Sequence, residues 1–453
     1  MAILDLRILP PLAIARLGSS SEPLENYDLV IDDPLGYRRI QPTETFRVDR
    51  ATGEIVEAYV PEKIVFRDCD QIRPVAPFLE VFARTSDDVL EPLTTDLLAR
   101  EGLGPQDVNW SVRLGNIKAF RRTGKAEDKI LASATFSDHA RHPLEGKCDN
   151  FLAGKTLPLG SAQYIRPTQS FPEIRLRYIP AAGLVYGANA SRKILNDQNK
   201  PVSEPDPVLD GRIIYDDKKG HWRGYFDEGA PTDTNPGAIY AGFSDEKGNW
   251  QSWGYLDDEC DGIISVELSR NGETLRAYSR IGAGPPSFAP DGLPIRTVAD
   301  ELEQVMFGPD VPVEDVSPAQ VEEIVRRAFE TVRLLNTAVM NGNPVNGRLA
   351  AASIMPSQDA NDFHRMFGPI MAPTLVDNLS VVALHQTILT ALKSGTPAWF
   401  ADVLRKPEEI GDLTDKGRRK MPAMMRGADA RYLTLTRRQI DMIRKSVNRG
   451  LFV

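Results

Sequence analysis

Between Ile263 and Ile281 the sequence commits to a β-hairpin. Ile263-Ile264-Ser265-Val266-Glu267-Leu268 sets apolar residues on alternating positions after a double start, Asn271-Gly272 is a tight-turn dipeptide, and Thr274–Ile281 is long enough to return antiparallel. The hairpin is bracketed by Asp257-Asp258-Glu259-Cys260-Asp261-Gly262 on one side and by Gly284-Pro285-Pro286 and Pro290-Asp291-Gly292 on the other. Glycine and proline at these positions stop regular structure and turn the chain. The stretch predicts a sheet edge framed by two fixed loops.

The chain ahead of it reads as further strands. Ile8–Leu17 is apolar around Pro10-Pro11 and suits a strand broken by a turn and resumed. Thr43–Val48 and Glu54–Val60 alternate on either side of the turn at Asp49–Gly53, and Pro74–Arg84, with two prolines ahead of Phe78, Val81 and Phe82, suits a buried strand or a short helix and is read as a strand. Leu90–Glu101 has helical spacing. In Val108–Leu114 the residues Val108, Trp110, Val112 and Leu114 share one face, with Trp110 expected in the core. Residues 121–156 are polar and irregular and read as a surface loop, whereas Ile174–Ile179 alternates as a half-buried strand.

After Pro294 the period becomes helical. Ser317 before Pro318 is a helix start, and Val321, Ile324, Val325, Ala328, Val332 and Leu335 form one stripe behind it. Further helices are expected around 363–371, 381–392 and 397–404. Thr436 with Gln439 makes a capping box for the final helix, and Leu435 with Ile440 a hydrophobic staple. The expected fold class is α+β, a β-rich N-terminal body over 1–297 joined to a C-terminal helical domain over 298–453.

A formal net charge of −9 argues against a nucleic-acid surface, and no apolar run reaches membrane-spanning length. Met1–Leu9 is too short and too charged for a signal peptide, and three cysteines are an odd number that suits a reducing compartment. The expected location is the cytoplasm. There is no glycine-rich phosphate loop, Gly-x-Ser-x-Gly elbow or zincin helix to name a nucleotide, hydrolase or protease chemistry.

Candidate catalytic residues are therefore few. Asp257 and Asp258 lie in the densest acidic cluster, Arg16 is the one charge in Ile8–Leu17 and needs a partner if desolvated, and His364 stands between Asp362 and Met366. No metal is expected. The nearest approach to a metal set is His139 and His142 with Asp138, Glu145 and Cys148 nearby, but Arg141 between the histidines works against a cation. Asp261, with its acidic neighbours and the Tyr225–Asp233 loop, is the other candidate, as an oxygen-rich site for a hard cation. Trp253 and Cys260 could in principle crosslink, although a thiol beside three carboxylates should be a poor thiolate.

Five segments in order carry a family resemblance. They are Pro10–Ser19 (PPLAIARLGS), Val108–Asn116 (VNWSVRLGN), Leu157–Gly160 (LPLG), the run from Trp253-Gly254-Tyr255 through Asp257-Asp258 and Asp261-Gly262 to Pro285–Asp291, and Lys420-Met421-Pro422 followed by Tyr432–Thr436. Together they resemble the LodA-like L-amino-acid oxidases, which carry cysteine tryptophylquinone. The resemblance implies an oxidoreductase-type scaffold for amino-acid or amine oxidation, with a small-molecule amine or amino acid as substrate. In that family the quinone-forming cysteine and tryptophan lie beyond the Leu-Thr-Leu-Thr segment, and the corresponding positions are not among these 453 residues. The resemblance thus implies a partner chain that supplies the quinone, or else a catalytically inactive binding or assembly protein on the same scaffold, in either case with another protein chain or a homo-oligomer as partner. A metal-dependent enzyme built on the acidic loops is a third reading.

Overall fold

The computed structural model describes residues 2–30, 38–69, 71–188, 194–195, 201–202, 210–216, 242–244, 250–252, 256–270, 272–287, 290–331, 387, 402–410, 412, 420–422 and 434–448. The architecture is α+β and rich in strands. Two compact units divide the chain: one takes the residues up to Asp28 and Pro42–Ser287, the other Leu29–Gln41 and the described residues from 290 onward.

The first unit is built on two sheets. Its principal strands are β1 (Ile3–Leu9), β2 (Leu12–Arg16), β3 (Thr45–Val48), β4 (Ile55–Tyr59), β5 (Phe78–Thr85), β6 (Val108–Asn116), β7 (Ile130–Phe136), β8 (Arg141–Gly146), β9 (Leu157–Tyr164), β10 (Arg175–Ile179), β11 (Cys260–Arg270) and β12 (Glu273–Gly284). The first sheet runs β1-β5-β10-β9-β8, antiparallel throughout, with the short strand Leu90–Pro92 also on β5. The second runs β7-β6-β11-β12-β2, where only β2 is parallel to its neighbour. The sheets share a core in which Trp110 of β6, fully buried, meets Tyr164 of β9 with ring centroids 6.1 Å apart.

Several expectations hold. The Pro10-Pro11 turn separates β1 from β2, β3 pairs with β4 across Asp49–Gly53, and β11 pairs with β12 from Cys260 opposite Ala283 to Arg270 opposite Glu273. The helical spacing after Leu90 yields α1 only over Thr95–Arg100, capped by the Thr94 hydroxyl.

Three expectations are corrected. The hairpin is not a sheet edge: β6 lies on one side of it and β2 on the other, the latter in register from Leu12 opposite Arg280 to Arg16 opposite Gly284. Residues 121–156 are not a surface loop but contain β7 and β8 and follow from the short helix α2 (Lys118–Thr123). Strand β10 is not half-buried: it lies between β5 and β9, and Arg175, Leu176, Arg177 and Tyr178 are all buried. Arg175 meets the usual requirement of a desolvated guanidinium, pairing with Glu80 at 2.7 Å and Glu173 at 3.1 Å.

In the second unit the described helices are α3 (Val298–Phe307), α4 (Pro318–Glu330) and α5 (Arg437–Asn448). Ser317 caps α4 with Pro318 at its first position, and Val321, Ile324, Val325 and Ala328 form the buried face, as the spacing implies. The Thr436–Gln439 capping box is present, with reciprocal bonds of 2.8 and 3.1 Å, and Leu435, Ile440 and Ile443 join the same core as α4. Buried Arg38 ties into this unit through Glu323 at 2.6 Å and Glu330 at 2.5 Å. The helices expected around 363–371, 381–392 and 397–404 lie outside the described residues apart from Thr387 and 402–404. Among the described residues no helix is long and apolar enough to cross a membrane.

Candidate functional site

The acidic run before the hairpin folds into a corner of the first unit where six elements meet. Strand β6 ends at Asn116, whose side-chain amide donates to the Asp257 carbonyl at 2.9 Å while its oxygen accepts the Lys118 amide at 3.1 Å. These two hydrogen bonds aim Lys118, the first residue of α2, into the acidic run. Its ammonium lies 2.5 Å from both Asp257 and Glu259. Burial works to lower the Lys118 pKa, but the two carboxylates more than reverse this and hold it above the ordinary lysine value.

Asp258 is fully buried and, among the described residues, has no cation. One oxygen accepts the Gly183 and Leu184 amides at 3.0 and 3.1 Å, and the other has no partner among the described residues. Burial pushes its pKa up to about 8, with the Asp257 charge adding to the rise and the two amide donors opposing it. At neutral pH it is the protonated carboxyl of the cluster.

Cys260 follows at the start of β11. Its sulfur is 3.3 Å from the Tyr178 hydroxyl of β10, which donates to the Leu159 carbonyl of β9 at 2.7 Å. Burial, aided by the neighbouring carboxyls, raises the thiol to about 12, so it is neutral. The poor thiolate read from the sequence is correct, although burial outweighs the acidic neighbours as its cause.

Arg16, at the end of β2, donates to the Pro285 carbonyl at 3.2 Å; burial and the Asp257 charge hold the Glu259 carboxyl above its ordinary pKa, and Lys118 and Arg16 oppose that rise. The corner therefore brings Arg16, Asp257 and Asp258 into one network of two cations, two anions and one neutral acid. It can hold a proton on Asp258 near neutral pH, but Asp258 has no exposed surface through which to give it to a ligand.

The histidine candidates lie elsewhere. His139 donates from Nδ1 to the Tyr164 carbonyl, 3.1 Å away, while His142 bonds Asp138 at 2.8 Å and stacks on Phe136. Asp261 stands on β11 opposite Gly115 and Gly282, on the other sheet. Among the described residues no group of three or more His, Cys, Asp or Glu is arranged to hold a metal ion. His364, Trp253 and the Tyr225–Asp233 loop lie outside the described residues. The sequence reading passed over Lys118 and Tyr178; Lys118 is signalled only by its place two residues after a strand-ending asparagine, and Tyr178 by nothing local.

The Asp258 proton makes stability depend on pH in a definite direction. An unfolded aspartate ionises near pH 4, whereas the folded one keeps its proton to about pH 8. Between those values the folded state binds the extra proton, so this contribution is full below pH 4 and is lost as pH rises through 8. Asn at 258 keeps an acceptor for both amides and has no proton to lose. The expected result is that Asp258→Asn flattens the decline in urea-unfolding stability between pH 5 and 8 relative to wild type; parallel profiles would refute it.

The comparisons with solved structures find similarity to the L-lysine ε-oxidase of Marinomonas mediterranea. One crystal structure of it aligns over 98% of this chain and 61% of its own, at 13% identity and a TM-score of 0.47. A second aligns over 75% and 46%, at 15% identity and a TM-score of 0.41, and its Schiff-base intermediate with L-Lys over 75% and 46%, at 14% and 0.38. The chain thus spans between 46% and 61% of the length of those proteins. No protein-family model and no curated protein matches it.

Proposed function

We propose that this chain is the body of a LodA-like oxidoreductase for amino-acid or amine oxidation, working with quinone-bearing polypeptide other than these 453 residues. The observation that supports the reading is convergence. Four segments that carry the resemblance meet at the acidic corner through their residues between Pro10 and Ser287. Leu17 donates to Gly284 at 2.9 Å, Asn116 to Asp257, and Tyr178 to Leu159 beside Cys260. Segments that merely shared composition would have no reason to close on one another.

The buried pair Cys260 and Trp110 does not fit a quinone made between them. Cys260 has its sulfur engaged with Tyr178, and Trp110 lies opposite Val266, six residues along β11 from Cys260. Nothing in the chemistry proposed for this chain is therefore routed through a quinone of its own.

The competing reading is a binding or assembly protein that uses the scaffold without catalysis. It is favoured by the burial of the corner's two neutral groups: Asp258 is fully buried, and the Cys260 thiol is buried and neutral. One experiment separates the two. The protein is purified from its native host, its intact mass and visible absorption are recorded, and amine-dependent oxygen consumption is measured on the same sample. The oxidoreductase reading expects quinone absorption with a second polypeptide and oxygen uptake; a single colourless, inactive chain at its calculated mass would overturn it in favour of binding.

A further inference from the structure

Away from the acidic corner, the first unit has a cleft of about 580 Å³ whose floor is a row of residues on three adjacent strands. Arg141 of β8 stands opposite Gln163 of β9, and Gln163 stands opposite Arg177 of β10. Residues directly opposite across antiparallel strands point to the same face, and adjacent strands are about 5 Å apart. Two guanidiniums therefore flank one amide on a single face, with Ser161 two positions along β9 on that same face.

The arginines are not held by acids. Arg177 is 9% exposed; its Nε donates to the Ala76 carbonyl at 3.4 Å and its guanidinium lies over the Phe78 ring at 4.7 Å, but no carboxylate is within ion-pairing distance among the described residues. Arg141 donates from Nε to Ser161 at 2.7 Å and likewise has no carboxylate partner among the described residues. Gln163 uses one amide hydrogen on the His139 carbonyl at 3.0 Å. The other basic residues of the cleft are spoken for: Arg50 by Glu22 and Arg47 by Glu57, both pairs at the exposed rim. Two residues from Arg177 on the same strand, Arg175 has two acidic partners. Burial lowers the Arg177 pKa to about 10, with the Arg141 and Arg50 charges adding to the fall and Glu22, already paired with Arg50 at the rim, opposing it; Arg141, which stays exposed, is shifted the same way by partial burial and by Arg50.

A desolvated guanidinium without an anion is costly, and such costs persist where a ligand repays them. We infer that this cleft binds a small-molecule oxyanion, a carboxylate or phosphate, clamped between the Arg141 and Arg177 forks beside Gln163 and Ser161. Planar forks with donors left over are suited to two-point recognition of such groups. Phe46, also in the cleft wall, supplies an apolar surface for the rest of the ligand. The inference is independent of the oxidoreductase reading: a colourless single chain would leave it standing.

The test is thermal unfolding and calorimetric titration of the full chain in low-salt buffer with inorganic phosphate and, separately, succinate. Wild type should show a saturable rise in melting temperature with at least one of them, and Arg177→Met and Arg141→Met should each weaken binding by about tenfold or more. A response to phosphate alone identifies a phosphate ligand, a response to succinate alone a carboxylate, and both a general oxyanion site. Because phosphate also stabilises proteins non-specifically, the measured quantity is the difference between wild type and variant. In anion-free buffer Arg177→Met should melt no lower than wild type, whereas Arg175→Met should melt lower. If neither anion acts on wild type beyond its effect on both cleft variants, the inference is wrong.

Discussion

Replacing Lys118 by methionine should cost the first unit about 3 kcal/mol of stability, because it leaves a buried charge behind. Lys118 is the ion-pair partner of Asp257, whose side chain is 2% exposed, and it also pairs with Glu259. Methionine keeps most of the volume and none of the charge. The lysine side chain itself is 32% exposed, so solvent screens part of the interaction and the expected loss sits at the lower end of that for breaking a buried pair. The orphaned carboxylate carries most of the loss, and this gives the prediction its control. The double variant Lys118→Met with Asp257→Asn should recover about half of the lost stability, since no uncompensated charge then remains on the buried position. Urea unfolding at pH 7 measures both. A single-variant loss below about 1 kcal/mol would place the pair with ordinary surface salt bridges.

How much of this was legible in the sequence depends on how local each cause is. The hairpin was legible because alternation and Asn271-Gly272 act over a few residues. Its interior place in the sheet was not, because β2 joins it from the N-terminus, and no local pattern announces a parallel partner so far away. Strand β10 failed for a different reason. Alternating arginine with leucine and tyrosine reads as one wet face and one dry face, but Glu80, the nearer of the two acids that make Arg175 tolerable in the interior, comes from another strand. The same pattern hid Arg177, whose burial is the basis of the proposed anion site. Residues 121–156 were misread because the charged stretches Lys125–Lys129 and Asp138–His142 outweighed the seven-residue strand between them. At the acidic corner, the sequence pointed to Asp257 and Asp258 by charge density alone. That Asp258 keeps its proton follows from burial, which outweighs the opposing amides of Gly183 and Leu184, and neither the burial nor the amides are written near residue 258.

The backbone closeness that shapes this corner leads to the second large effect. Gly262 lies opposite Leu114 across the β6–β11 ladder, and a Cβ built on it would sit 2.0 Å from the Arg113 carbonyl oxygen and 2.9 Å from the Leu114 Cα. These are backbone atoms of a strand paired on both sides, with β7 beyond it, so they cannot swing away as a side chain could. Gly262→Ala should therefore force the base of the hairpin open and cost about 3 kcal/mol, the upper range for overpacking. Gly211→Ala is the comparison, since a Cβ there meets nothing within 4 Å, and it should change stability by no more than about 0.5 kcal/mol. The two differ by one methyl group each, so the contrast isolates the clash. The opening should also reach the thiol two residues away. Cys260 is buried in the native protein while Cys69 is exposed, so a thiol reagent should label Cys69 quickly in both proteins and Cys260 only in Gly262→Ala. An unchanged melting temperature together with an unlabelled Cys260 would mean that the ladder yields at this point without cost.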